Sequence, residues 1–151
     1  MRTIGVIPSR WGSTRFPGKS LAPICGRPLV AWVAEAVRRA RGLDEVIVAT
    51  DDDRIADAAR ACGVTVAMTP SDLPSGTDRV AAAANPGDDD IVINIQGDEP
   101  LIDPAIVSAV AAALAGDADA AARRGRRALP GGEHRAELQR NRDCAHCKPS
   151  A

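Results

Sequence analysis

The chain has 151 residues, 45% apolar and 26% charged, which is enough for one globular domain with a core. Its net charge of −1 favours neither nucleic acid nor a membrane as partner, and no run approaches the roughly 20 apolar residues of a membrane helix. There is no secretory signal pattern and the four cysteines are irregularly spaced, so we exclude a secreted disulfide framework and expect a cytoplasmic protein.

Apolar runs alternate with helical patterns along the chain, which is typical of βαβ units around a parallel sheet. Right-handed crossovers would give four strands the spatial order third, second, first, fourth, which is half of a Rossmann-like sheet. The predicted fold class is therefore α/β, a truncated parallel sheet with flanking helices. The predicted strands are 3–8, 45–50, 64–68 and 91–95, and helices are predicted from Pro28 to Arg41, from the Asp51–Asp53 cap to Ala61, from about 77 to 84, and from about 104 to 114.

The loop after the first strand, 8–20, combines three cations, hydroxyl side chains and two glycines. Glycine lets backbone N–H groups approach an anion, and Arg and Lys donate charge-assisted hydrogen bonds to phosphate oxygens, so this loop suits a triphosphate. Five residues separate Gly12 from Gly18, one more than a Walker A loop allows, and Pro23 disfavours a helix starting directly after Lys19. The dinucleotide fingerprint G-x-G-x-x-G is also absent, and the remaining alternative is a solvated basic loop.

The segment from Pro8 to Leu21 closely resembles the signature P-[AS]-R-x-x-S-[ST]-R-[LF]-P-G-K-x-L of the cytidylyltransferases acting on 3-deoxy-manno-octulosonate. The resemblance implies that this loop binds CTP and that its cations neutralise charge on the α-phosphate and hold the departing pyrophosphate. The nucleotide-binding residues it implies here are Pro8, Ser9, Arg10, Ser13, Arg15 and Lys19, of which Arg10, Arg15 and Lys19 would also be catalytic.

The loop after the fourth strand reads Gln96-Gly97-Asp98-Glu99-Pro100 and matches the family's Q-G-D-E-P motif at all five positions. From the residues alone, Asp98 is either a Mg²⁺ ligand beside phosphate oxygens or an acid that caps a turn or helix. The resemblance implies the first role for Asp98, a catalytic one, and a contact between Gln96 and the sugar acid.

Two further stretches match the family. Ser75-Gly76-Thr77-Asp78-Arg79 resembles the S-G-[ST]-[DE]-R loop that contacts cytosine and ribose, which implies nucleotide-binding roles for Ser75, Gly76 and Arg79. On chemistry alone it is a helix start, capped by Ser75 or Thr77. Asp51, in a stretch like the family's A-T-D-[DS], pairs with a loop cation or caps the following helix.

The reaction implied is CTP plus 3-deoxy-manno-octulosonate giving the CMP-sugar and pyrophosphate, with Mg²⁺ as cofactor and a homodimer as assembly, for lipopolysaccharide synthesis. The sugar's anomeric hydroxyl attacks the α-phosphorus in line, so the protein mainly positions groups and stabilises charge. Alternatives are a cytidylyltransferase for another sugar acid, such as sialic acid, and a non-catalytic nucleotide-binding fragment. A basic nucleic-acid module is a more distant alternative.

The resemblance covers about residues 1–118, a CTP-binding half-domain with 11 basic and 16 acidic residues, whereas 119–151 has 8 basic and 4 acidic. This Arg- and Ala-rich tail lacks apolar periodicity, so we predict that it is disordered and suspect a change of reading frame near residue 119. Cys144, His146 and Cys147 do not make a convincing zinc site. Without the family's second half, the fourth strand would be an unpaired edge, the dimer contacts would be lost, and the chain would be inactive or nearly so.

Overall fold

The structure, a computed structural model, describes residues 1–12, 16–87 and 89–116, and the backbone of a strand at 136–140. In chain order the strands are β1 (Thr3–Pro8), β2 (Pro23–Ile24), β3 (Arg27–Pro28), β4 (Glu45–Thr50), β5 (Thr65–Met68), β6 (Ile91–Ile95) and β7 (Ala136–Arg140). The helices are α1 (Leu29–Arg38), α2 (Asp53–Arg60), α3 (Gly76–Ala84) and α4 (Pro104–Ala115), and Lys19–Leu21 forms a single 3₁₀ turn.

The main sheet has the order β5-β4-β1-β6-β7. Its first four strands are parallel and stand in the spatial order predicted from the sequence, so the α/β Rossmann-like prediction is confirmed. Because β1 lies in the middle, its carboxyl end sits between those of β4 and β6. The loops after these strands therefore meet at one edge of the sheet.

The strand β7 corrects a prediction about the fourth strand of the sheet. It pairs antiparallel with β6 from Ile91↔Arg140 to Ile95↔Ala136, so the expected unpaired edge on that strand is wrong. Ala136–Arg140 lies within 119–151, and the disorder expected for this tail stays a prediction. The rest of the tail, with its cysteines and His146, lies outside the described residues.

Apolar side chains cover both faces of the sheet. On one face, Ile7, Val48 and Ile93 pack with the apolar sides of α1, α2 and α4. On the other face, Ile4 and Val6 pack with α3. Adjacent residues of β1 thus point to opposite, equally buried faces, as expected of a central parallel strand.

The segment 9–27, for which the sequence predicts no strand or helix, contains a small hairpin formed by β2 and β3. Its two turn residues, Cys25 and Gly26, have φ values of 49° and 78°, the pattern of a type I′ turn. The first long helix begins only at Leu29, which agrees with the exclusion of a Walker A loop, and ends at Arg38, three residues before the predicted Arg41.

Both cysteines in the described part of the chain, Cys25 and Cys62, are free, as expected of reduced thiols. Within the same residues, every helix is too short or too polar to cross a membrane.

Candidate functional site

Three of the predicted loops meet around Pro8, at the carboxyl end of β1. A Cβ added to Gly97 would lie 2.8 Å from the Pro8 carbonyl oxygen and 2.9 Å from Ser9 Oγ, so the loop after β6 approaches the loop after β1 without room for a side chain. A Cβ on Gly76, at the start of α3, would lie 3.9 Å from Pro8 Cγ. The structure therefore brings together Pro8, Ser9, Gly76 and Gly97.

Lys19 and Asp98 join the same two loops through their side chains. Lys19 Nζ donates to Asp98 Oδ2 at 2.8 Å, and the two side chains are 43% and 52% exposed. An ion pair this exposed adds little to the free energy of folding. Lys19 and Asp98 can therefore separate, and each can bind a ligand instead, with little loss of stability. An ammonium group and a carboxylate thus stand side by side in solvent.

Trp11 anchors the start of the loop after β1. Gly18 has a φ of +69° and donates its N–H to the Trp11 carbonyl oxygen at 3.0 Å. A Cβ on Gly18 would lie 2.7 Å from the indole ring, so glycine is needed both for the backbone angle and for the close contact. The Arg54 guanidinium lies 3.5 Å above the same ring and binds the Asp52 carboxylate with two hydrogen bonds.

The remaining predicted residues of this loop fall into three groups. Arg10 is exposed. Ser9 is 2% exposed, and its hydroxyl has no hydrogen-bond partner among the residues described. Ser13 and Arg15 lie outside the described residues. Beyond the loop, Gln96 is partly buried at the end of β6.

The segment Ser75–Arg79 divides into a helix cap and a buried arginine. Ser75 Oγ accepts from the Asp78 N–H at 3.1 Å, which confirms the predicted cap. Arg79 is only 2% exposed; its guanidinium donates to Thr69 Oγ1 and, at 3.4 Å, to Asp51 Oδ2. The guanidinium therefore lies inside the protein beside the start of α3, and the nucleotide contact expected for Arg79 stays a prediction.

The structure separates the two acids that follow β4. Asp52, not Asp51, caps α2, accepting from the Arg54 N–H at 3.0 Å. Asp51 accepts from the Trp11 N–H at 3.0 Å and from Arg79. Sequence reasoning left the role of Asp51 open and missed both partners, since neither is near it in the chain.

The exposed carboxylate of Asp98 is chemically suited to a divalent cation. No group of three or more His, Cys, Asp or Glu side chains clusters within 1–12, 16–87 and 89–116. A single exposed carboxylate nevertheless fits Mg²⁺, which is commonly held by one or two carboxylates together with phosphate oxygens and water.

Comparison with known proteins gives a consistent result. The sequence model of a family described as cytidylyltransferase matches residues 4–128. A 3-deoxy-manno-octulosonate cytidylyltransferase of Bdellovibrio bacteriovorus is 50% identical over 117 residues, which are 78% of this chain and 47% of the relative. An 8-amino-3,8-dideoxy-manno-octulosonate cytidylyltransferase of Shewanella frigidimarina is 54% identical over 107 residues, 69% of this chain and 44% of the relative.

Among solved structures, a CMP:2-keto-3-deoxy-manno-octonic acid synthetase complexed with CTP superposes with a TM-score of 0.72 at 42% identity, over 78% of this chain and 48% of the other. A cytidylyltransferase from Leptospira borgpetersenii gives a TM-score of 0.68 at 28% identity, over 78% of this chain and 51% of the other. The chain thus spans about half the length of the proteins it matches.

Proposed function

The chain belongs to the cytidylyltransferase family, and from this premise we propose that it is the CTP-binding part of an enzyme that transfers CMP to 3-deoxy-manno-octulosonate. The reaction releases pyrophosphate and supplies an activated sugar acid for lipopolysaccharide synthesis. The observation that carries the proposal is the Lys19–Asp98 contact of 2.8 Å, because it joins an exposed ammonium group and an exposed carboxylate at the carboxyl edge of the sheet.

Charge stabilisation is the main task of these residues. As the sugar's anomeric oxygen attacks the α-phosphorus, negative charge grows on the phosphate oxygens and on the leaving pyrophosphate. Lys19 and the exposed Arg10 supply positive charge to these oxygens, and the family resemblance leads us to assign Ser13 and Arg15 to the same phosphate-binding role. The buried hydroxyl of Ser9 and the close approach of Gly97 fix the distance between the two loops.

We assign the metal role to Asp98 and the sugar-acid contact to Gln96. When bound, Mg²⁺ would neutralise phosphate charge and orient the triphosphate. When Lys19 and Asp98 separate, Asp98 is available to bind the metal ion, and the Lys19 ammonium group is available to bind phosphate oxygens of CTP. We assign the contacts with the base and ribose to Ser75 and Gly76, and the position of Gly76 beside Pro8 supports this assignment.

A second candidate substrate is 8-amino-3,8-dideoxy-manno-octulosonate. The Shewanella frigidimarina protein named for that sugar acid is 54% identical over 107 residues, as close as the relatives named for the unmodified acid. Because most of the sugar-acid pocket is expected from the second half of the relatives, the two acids are separated by joining this chain to the second half of the Bdellovibrio bacteriovorus relative and measuring which acid supports pyrophosphate release from CTP.

The family resemblance further suggests a cytoplasmic homodimer whose sugar-acid pocket and dimer contacts come largely from a second half of the protein. We therefore expect the 151-residue chain to bind CTP without releasing pyrophosphate. Steady pyrophosphate release from CTP, Mg²⁺ and the sugar acid would contradict the expected inactivity while supporting the family reaction.

The test of the proposed function is calorimetric titration of the purified chain with CTP and Mg²⁺, with UTP as comparison. We expect CTP to bind at least tenfold more tightly than UTP, and Lys19→Met to weaken CTP binding about tenfold, the loss of one charge-assisted hydrogen bond. Arg60→Met is the matched control, because Arg60 is an exposed cation paired with Asp57 on the far part of α2. No CTP binding, or equal effects of both substitutions, would overturn the proposal.

A further inference from the structure

Asp51 and Arg79 form a buried ion pair at the carboxyl edge of the sheet. Their side chains are 9% and 2% exposed, and Arg79 Nη2 lies 3.4 Å from Asp51 Oδ2. Burying a charge pair away from water costs free energy. Further hydrogen bonds to each charge offset this cost. The partners here, Trp11 and Thr69, lie in two further loops, after β1 and after β5.

On the Asp51 side, the second carboxylate oxygen accepts from the backbone N–H of Trp11 at 3.0 Å. Trp11 is the residue against which Gly18 packs, so this bond fixes the start of the loop that carries Lys19. On the Arg79 side, the guanidinium projects from the first turn of α3, just after Ser75 and Gly76.

Thr69 completes the arrangement from the end of β5. Its hydroxyl accepts from Arg79 Nη1 and donates to the Thr50 carbonyl oxygen at 3.1 Å, and its N–H donates to the same oxygen at 2.8 Å. The guanidinium is therefore held against the ends of β4 and β5. The rigid part of the sheet thus anchors both the phosphate loop and the start of α3.

We propose that the Asp51–Arg79 pair is a positioning latch that holds the loop bearing Lys19 in register with the Ser75–Gly76 segment, so that the phosphate-binding and base-binding parts of the site act together. This inference rests on the proposed function, and it gives Arg79 an indirect role in place of direct base contact. Without the latch, the phosphate-binding and base-binding parts can still form, but the loop loses its fixed distance from α3. Part of the binding free energy of CTP is then used to order the loop, so CTP binds more weakly.

The test uses Asp51→Asn, which keeps the size and an acceptor oxygen but removes the charge. Asp90→Asn is the matched control: Asp90 is also 9% exposed, binds the arginine Arg2 at 2.7 Å, and lies at the opposite, amino end of the strands. All variants carry Trp32→Phe, which leaves Trp11 as the one fluorescent indole of the chain.

Two readouts are measured: iodide quenching of Trp11 without ligand, and calorimetric affinity for CTP with Mg²⁺. We expect both substitutions to lower the melting temperature, but only Asp51→Asn to increase quenching about twofold and to weaken CTP binding about tenfold. The inference is overturned if Asp51→Asn changes neither the iodide quenching nor the CTP affinity and only lowers the melting temperature, as Asp90→Asn does. The pair would then have a structural role alone.

Arg79→Lys decides the question if Asp51→Asn does not fold. Lysine keeps the charge but cannot bind Thr69 and Asp51 with a planar fork, so a smaller loss of CTP affinity, about threefold, is expected. An unchanged affinity would overturn the latch. If the Trp32→Phe parent itself does not bind CTP, the proposed function fails. The iodide-quenching experiment then shows by itself whether Asp51 holds the loop.

Discussion

At the scale of single residues, Gly97 shows how closely the two loops of the site approach. Its missing side chain faces the Pro8 carbonyl oxygen and Ser9 Oγ, both under 3 Å from where a Cβ would stand. The first of these is backbone on a buried central strand and cannot swing aside. Any side chain at position 97 must therefore push the loop after β6 away from the loop after β1.

We predict that Gly97→Ala lowers the free energy of unfolding by about 1–3 kcal/mol, the usual cost of overpacking a rigid site. Urea unfolding followed by circular dichroism measures it. Gly12→Ala is the control, because Gly12 is exposed with no atom within 4 Å of its would-be Cβ, and a change within about 0.5 kcal/mol is expected. Equal effects of the two substitutions would show that the loops separate freely.

Asp90 is the acid whose ionisation is most strongly tied to folding. Hydrogen bonds from the Arg2 side chain, then from the N–H groups of Arg2 and Gly87, lower the pKa of Asp90 from 3.8 to about 2. A carboxyl whose pKa is lower in the folded state stabilises the fold above its unfolded pKa, and that contribution is lost as the pH falls through the folded value.

The melting temperatures of the native chain and Asp90→Asn should therefore converge as the pH falls from 3.8 to about 2 and differ by a constant amount above that range. Thermal melts across this pH range measure the effect. Arg2→Met removes the largest cause of the shift and should converge with the native chain in the same direction, by a smaller amount because the backbone hydrogen bonds remain. A difference that is independent of pH would refute the coupling between Asp90 and Arg2.

At the scale of elements, the sequence predicted the strands and helix caps that depend on neighbouring residues in the chain. The strand Ile91–Ile95 and the Ser75 cap follow from apolar runs and from capping chemistry, and the structure has both. The partners of Asp51 and Arg79 could not be predicted, because Trp11 and Asp51 are 40 residues apart and meet only once the sheet forms. Strand β7 was missed for the same reason: its pairing with β6, not its own periodicity, defines it.

The hairpin of β2 and β3 was also missed, because its turn lacks the Asn-Gly signature of type I′ turns. Cys25 occupies the first turn position with a φ of 49°, a conformation in which most side chains are strained. The side chain is exposed, so replacing it removes little packing.

We predict that Cys25→Asn stabilises the chain by up to about 1 kcal/mol, because asparagine tolerates the left-handed conformation. The β-branched Cys25→Val should destabilise it by a similar amount, and both are measured by chemical denaturation. If the valine variant is as stable as the asparagine variant, the turn is not in the type I′ conformation.

At the scale of the whole molecule, the sheet depends on how its outer strands are covered. All five residues of β6 are buried, and four of them are isoleucine or valine. An apolar strand of this kind, left with unpaired N–H and C=O groups along one side, is a template for pairing with another chain. In this structure β7 fills that side over the full length of β6.

A version of the chain ending at residue 118 lacks β7. At the same protein concentration it should self-associate more than the 151-residue chain, as measured by sedimentation velocity. A version ending at Arg140 keeps β7 and serves as the control, and it should behave like the full chain. Hydrogen exchange adds a local readout, since alternate amides of β6 face β1 and β7: those facing β7 should exchange faster in the shortest version, and those facing β1 should not. If all three versions associate equally and their β6 amides exchange alike, β7 does not protect the edge, and the family's second half is the natural cover for β6.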